Sequence, residues 1–243
     1  MSEYKGIKGF QVQTRTEDPS PTEAQSGDFY YNSSTGQFKQ INTGGAPIGT
    51  WSSGGDLNTA RTDLTGTGTK AAGLAIGGRP GNLNYVEQYN GSSWSEIAEI
   101  GSGRYAAAAA GSPSAALYFG GYFSSAPAGT RNLTELWNGS SWTETGNLNK
   151  ATHGHHGWGT TTAALCVAGS KRPPDAILAM VEEWNGSSWT EVADVSENKY
   201  YGGGTCGGTT SSGAFFGGYN PPTHIATTEH WNSPAQTTNT LTD

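Results

Sequence analysis

Charge is scarce in this sequence: charged side chains make up 14% of 243 residues, and 13 lysines and arginines face 20 aspartates and glutamates. The net charge of −7, with no Lys/Arg cluster, argues against nucleic acid as a partner, because affinity for it rests on dense positive charge that neutralises phosphates. Anionic membrane surfaces are disfavoured for the same reason. Cysteine is nearly absent. Cys166 and Cys206 are too few for a disulfide framework or for a zinc site built on Cys pairs, and both read as buried small residues. No hydrophobic run approaches the length of a membrane span, so no membrane insertion is expected. Met1 to Phe10 lacks the apolar core of a signal peptide, and no export address is expected either. Long amphipathic helical patterns are missing too.

What is abundant is glycine, with 37 residues, about twice the usual share of roughly 7%. Together with Thr, Ser and Asn it suits many short strands joined by tight turns. Those turns recur. Trp51, Trp94, Trp142 and Trp189 are spaced by 43, 48 and 47 residues, and so are Arg61, Arg104, Thr152 and Lys199. A period in this range marks propellers and solenoids. Each unit then carries an apolar run ending in a small pair (Gly77-Gly78, Gly120-Gly121, Ala168-Gly169, Gly217-Gly218). A glutamate before an aromatic-Asn pair follows, at Glu87, Glu135, Glu182 and Glu229. Asn-Gly-Ser-Ser separates the last two pieces in three units, and Asn-Gly is a strong hairpin signal because both residues tolerate positive φ.

Four strands per unit are expected, in the third at His155–Thr161, Ala163–Val167, Met180–Trp184 and Trp189–Val192. Four short antiparallel strands make one propeller blade. The last unit ends after Trp231-Asn232 without a Trp strand, whereas Trp51 stands alone before the first unit. Pairing the Trp51 strand with the blade of Phe215 to Trp231 would close the ring and remove two exposed sheet edges.

The Gly pairs Gly78, Gly121, Gly169 and Gly218, the Glu-x-aromatic-Asn and the downstream Trp resemble the repeat of the kelch and galactose-oxidase central-domain family. The resemblance implies an all-β fold, a four-bladed kelch-like β-propeller over residues 50–233, with Trp side chains packed between blades. Thr152 and Ala168 depart from the pattern, and four blades are fewer than is usual for the family. Galactose-oxidase chemistry would require a copper site of Tyr and His with a crosslinked Cys, and neither cysteine has a recognisable setting for it.

Residues 1–49 differ in texture. The stretch GDFYYNSSTGQFKQI alternates aromatic and polar residues around Ser33 to Gly36 and reads as a β-hairpin, with Thr35-Gly36 supporting the turn. An isolated hairpin is marginal in water, so a docking arm is expected. Within it, GDFYYN-SST-GQF resembles a short element near the start of bacteriophage tail-fibre and other virion structural proteins, and the WNGSSWTE-type repeats resemble those of virion-associated proteins of marine phages. The implication is a virion component, assembled in the host cytoplasm and oligomeric in the particle. Its residues 1–49 would hold other virion proteins, its propeller would project outward, and residues 234–243 would form a tail.

Three functional readings follow. The favoured one is a non-enzymatic virion structural protein, a tail or capsid appendage with no cofactor, contacting protein or host-surface glycan. The alternative is a carbohydrate-binding lectin with loop aromatics (Tyr105, Tyr122, Phe123, Tyr200, Tyr201, Tyr219) stacking on sugars. Their competing role is packing between blades. The third is a metal-dependent enzyme at His153 and His155, which share one face of a strand and could offer two imidazoles. No second ligand pair accompanies them, and the same histidines would serve as lining of the ring mouth. The candidate ligand-binding residues are therefore Tyr105, His153, His155, Tyr200 and Tyr201. One glutamate per unit at the same register makes four equivalent positions and no converging acid-base pair, so these carboxylates are expected to bond neighbouring loops or the Arg61-type cations.

Overall fold

The structure, a computed structural model, describes residues 13–19, 29–40, 51–204 and 210–233. Cys206 and the tail 234–243 lie outside the described residues. Two compact units are distinguished, Met1–Ser53 and Gly54–Asp243.

In the first unit, β2 (Phe29–Asn32) and β3 (Gln37–Gln40) form the hairpin expected around Ser33 to Gly36, and β1 (Gln13–Arg15) adds a parallel strand to β2. Local chemistry sets the turn. The Asn32 Oδ1 accepts from the Ser34 and Thr35 amides, both at 3.0 Å, and Gly36 takes the left-handed φ of 70° that closes it. Asp18 ties the hairpin to its preceding segment by accepting from Tyr30, Asn32 and Lys39.

The second unit repeats one antiparallel pattern. Its first sheet is β4 (Thr65–Thr69), β5 (Ala72–Ile76), β6 (Val86–Tyr89) and β7 (Trp94–Glu96), in chain order. The second has β8 (Ala108–Ser112) and β9 (Ala115–Phe119), then a small ribbon of β10 (Tyr122–Phe123) and β11 (Gly129–Thr130), then β12 (Thr134–Trp137) and β13 (Trp142–Glu144). The third has β14 (His156–Gly159), β15 (Ala164–Lys171), β16 (Ala176–Trp184) and β17 (Trp189–Glu191). The fourth has β18 (Gly203–Gly204), β19 (Ser212–Phe216), a ribbon of β20 (Tyr219–Asn220) and β21 (Thr223–His224), and β22 (Thr228–Asn232).

The Asn-Gly-Ser-Ser turns form β7, β13 and β17. In each, the Asn Oδ1 accepts from both serine amides, at 3.0 Å for Asn90 and 2.9 Å for Asn138, and the Gly takes a φ near 96°. The hairpin is then locked by directly opposed ring pairs, Tyr89–Trp94, Trp137–Trp142 and Trp184–Trp189, with centroids 5.0 to 5.4 Å apart. Such pairs contribute about 0.5–1.5 kcal/mol beyond burial.

Consecutive sheets bury their faces against each other. Leu74, Ile76 and Val86 of the first meet Ala116, Tyr118 and Trp137 of the second. Ala108, Leu117 and Phe119 of the second meet Ala164, Cys166, Met180 and Trp184 of the third. Trp158, Leu165, Val167 and Val181 meet Phe215 of the fourth. Each fully buried large side chain contributes about 1.5–3 kcal/mol. Strands β4, β8, β14 and β18 pack side by side in series. Among the described residues there is no helix, and this arrangement is consistent with a β-propeller-like fold.

One expectation needs correction. In the third sheet, β15 and β16 run beyond their expected ends to Lys171 and from Ala176, because they continue pairing past a bulge between Val167 and Gly169. Trp51 belongs to no strand and its side chain is 102% exposed, so the last sheet has three described strands.

Candidate binding rim at one end of the sheets

Each sheet's first strand is preceded by a residue that bridges back to the residue after the small pair: Thr62 to Arg79, Tyr105 to Tyr122, His153 to Ser170 and Tyr200 to Tyr219. The next residue, Asp63, Ala106, Gly154 or Tyr201, takes a left-handed φ of 53 to 61°. These four peptides are chained from sheet to sheet: the Ala106 amide donates to the Asp63 carbonyl at 2.9 Å, Gly154 to Ala106 at 2.8 Å and Tyr201 to Gly154 at 2.7 Å. One backbone scaffold thus presents different side chains at four equivalent places.

Those side chains form an aromatic rim. Tyr105 lies 5.6 Å from Tyr122, Tyr122 lies 5.2 Å from His153, and Tyr200 touches both Tyr201 at 4.7 Å and Tyr219 at 5.8 Å, by ring centroids. The Arg79 guanidinium sits 5.2 Å over the Tyr105 ring while its Nε bonds Asp63 at 2.6 Å. Tyr200 and His153 are buried; Tyr201 is 60% exposed. Burial raises the pKa of its phenol above the usual range, and the Asp63 carboxylate adds to the effect.

The two histidines expected to act together have different surroundings. His153 donates its Nδ1 proton to the Ser170 carbonyl at 2.7 Å, beside Tyr122. His155 lies buried against Phe119, with Nε2 donating to the Phe119 carbonyl at 3.2 Å and Nδ1 without a partner. Burial pushes its pKa down to about 3 and that of His153 below its ordinary value. His155 therefore supports the rim from beneath. Among the described residues no group of three His, Cys, Asp or Glu is placed to hold a metal.

The repeated charged residues meet inside the sheets. Arg61 bonds Glu87, Arg104 bonds Glu135 at 2.6 Å, and Lys199 bonds Glu229 at 2.8 Å. Arg104 also donates to the carbonyls of Ser102, Gly120 and Tyr118. For Glu87, burial alone would raise the pKa, but the Asn58 amide and Arg61 outweigh it and the carboxyl is held below its usual range. The third sheet is different: Thr152 takes the cation's place, and buried Glu182 accepts from the Asn149 amide and side chain and from the Lys150 amide. Ala168, in place of a glycine, keeps the left-handed φ of its counterparts, 61° against 64 to 66°. The small pairs also link sheets, with Gly78, Gly121 and Gly169 amides donating to the Arg104, Thr152 and Lys199 carbonyls.

A cavity of about 320 Å³ lies beside the fourth sheet, lined by Trp158, Val167, Val181, Phe215 and Trp231 among others. In the preceding two pairs of sheets the corresponding space is filled by outer-strand tryptophans: Trp142 packs with Ile76, Val86 and Tyr118, and Trp189 with Leu117, Phe119 and Trp184.

Asp63, Arg79 and Arg172 were not singled out in the sequence. Their signal was available: Asp63 follows Thr62, the aligned counterpart of Tyr105, and the other two follow the small pairs.

No family model matches this chain, and no curated protein matches it in sequence. Among solved structures, that of YjhT is similar, with a TM-score of 0.56 at 12% identity, covering 66% of this chain and 59% of that one. At this identity the likeness extends to the fold alone, and the match spans about three fifths of YjhT.

Proposed function

We propose that residues 50–233 form a four-bladed kelch-like β-propeller and that the protein is a non-enzymatic phage virion component, a tail or capsid appendage that binds through the aromatic rim. The observation that carries the binding role is the contrast between a uniform backbone and non-uniform rim residues: Asp63, Ala106, Gly154 and Tyr201 share one conformation and nothing else. A bulky residue at positive φ is costly, and Tyr201 accepts that cost while remaining 60% exposed. Its ring lies against Gly154 and Tyr200, and the part left exposed supports contact with a partner. Support for the virion role comes from the resemblances of the 27–41 stretch and of the repeats. In that role residues 1–49 hold neighbouring virion proteins, the assembly is oligomeric, and the protein resides in the particle.

In this reading the Trp51 strand completes the fourth blade. The path of the following residues supports it. Gly55 sits against the backbone of Ser92 and Ser93 as Gly146 sits against Ser187 and Ser188, and Asn58 bonds Glu87 as Asn149 bonds Glu182. Trp51 precedes Gly55 by the same four positions that separate Trp142 from Gly146.

The test is recovery of the chain from purified particles at fixed copy number, with loss of retention when residues 1–49 are deleted; absence from particles overturns the virion reading. A free lectin is the second reading, favoured by the exposed Tyr201 ring. A glycan array with a binder lost on Tyr201→Ala, for a protein absent from particles, would select it.

A further inference from the structure

We infer that the rim takes a sugar bearing an oxyanion, its ring lying on Tyr201 and its carboxylate or sulfate held by Arg79 and Arg172. The inference rests on the binding role proposed for this end of the sheets and names the ligand class.

Three observations carry it. The first is a local reversal of charge. The connections after the four small pairs (77–85, 120–133, 169–178 and 217–227) hold Arg79, Arg131, Lys171 and Arg172 against one carboxylate, Asp175, in a chain of net charge −7. The second is that two of these cations have donors to spare. Arg131 is used internally, with its guanidinium 4.9 Å over Phe123 and bonded to the Pro127 and Gly129 carbonyls. Arg79 and Arg172 are both about half exposed. The Arg79 guanidinium lies over Tyr105 and is held through Nε by Asp63, which orients its fork, and among the described residues the Arg172 guanidinium meets the exposed Asp175 at 3.7 Å. The third is their place: Asp63, which holds Arg79, and Tyr201 occupy equivalent positions of one chain of peptides at this end of the sheets, and Arg172 closely follows Ser170, the bridge partner of His153 beside Gly154.

The chemistry of these groups selects among ligands. A guanidinium fork matches a planar or tetrahedral oxyanion through paired, charge-assisted hydrogen bonds. An exposed phenol ring with an apolar face and a polar tip suits the C–H face of a pyranose and its hydroxyls. Nucleic acid would ask for a longer cationic track than these two arginines supply. A polysaccharide repeating one acidic unit meets all three features with one monomer.

The experiment is affinity electrophoresis of the full chain through gels containing alginate, dextran sulfate or neutral dextran, with single-stranded DNA as a competitor. Retardation by alginate or dextran sulfate and not by dextran is expected, and the better of the two identifies carboxylate or sulfate. Arg172→Gln and Arg79→Gln should each weaken binding roughly ten- to hundredfold, the effect of losing a charge-assisted bond. Lys70→Gln removes the same charge from the turn between β4 and β5, at the opposite end of the first sheet, and should change nothing. Tyr201→Gly should weaken binding while keeping the left-handed φ of this position, which glycine adopts freely. Equal losses for Arg172→Gln and Lys70→Gln, or displacement by DNA as effective as by polysaccharide, would overturn the assignment. Retardation by neutral dextran alone, abolished by Tyr201→Gly, would overturn the acidic ligand and leave the binding rim standing; no retardation by any glycan in the gels or on an array overturns both.

Discussion

Acid should unfold this protein through His155 well before its carboxylates titrate. The neutral ring donates from Nε2 to Phe119, so a second proton must go to Nδ1, which is buried and has no acceptor. The groups that act on it, His153, His156 and Arg104, are cationic or become so in acid, and they add to the burial that holds its pKa at about 3. In the unfolded chain a histidine titrates near 6.5. The folded value is the lower one, so the unfolded state binds more protons between those pH values; the contribution is complete above about 6.5 and is lost as pH falls toward 3. At 1.36 kcal/mol per pH unit, lowering the pH from 7.5 to 5 removes about 2 kcal/mol through this one ring. Glutamates contribute little at pH 5, because they titrate near 4.3 in the unfolded chain. The assay is urea unfolding of wild type and His155→Gln at both pH values, the amide of Gln keeping a donor for the Phe119 carbonyl. Gln costs some stability at pH 7.5, and its loss on going to pH 5 should be smaller by about 2 kcal/mol. Equal losses in the two proteins would refute the reasoning.

Arg104→Met leaves Glu135 buried without its cation and should cost roughly 3–5 kcal/mol by urea unfolding, whereas the double change with Glu135→Leu should recover much of that. Gly120→Ala and Gly217→Ala share a φ of 66 and 65° but differ in space: a Cβ at 120 would lie 2.3 Å from the His155 ring, while at 217 the nearest atom is 3.7 Å away. The second should cost about 1–2 kcal/mol, the conformational term alone, and the first distinctly more, measured by thermal melting. Trp51→Ala should destabilise by about 3–5 kcal/mol if the indole completes the fourth blade; an unchanged urea midpoint would refute closure by this strand.

The repeat was legible because its chemistry is local. Asn-Gly-Ser-Ser turns, opposed ring pairs and the left-handed small pairs each act within a few residues or across one hairpin, so their period marked the repeating strands, and the alternation around Ser33 to Gly36 marked the arm hairpin. The same locality let the partnership of Arg61, Arg104 and Lys199 with the glutamates be expected from register alone. Other features depend on what is near in space and distant in chain. His153 and His155 alternate correctly along the chain, yet packing of the second sheet against the third turned His155 inward onto Phe119. The loop aromatics are scattered in sequence, and the Asp63–Ala106–Gly154–Tyr201 chain of peptides brings their four loops, separated by 43 to 48 residues, to one end of the sheets. Arg79 and Arg172 are unremarkable loop residues in sequence, and only their place beside the Asp63–Tyr201 chain of peptides makes them candidates for binding. Spacing determined the strands and their order; the pairing of faces between sheets decided which side chains meet, because burial and electrostatics act through space and leave no period to read.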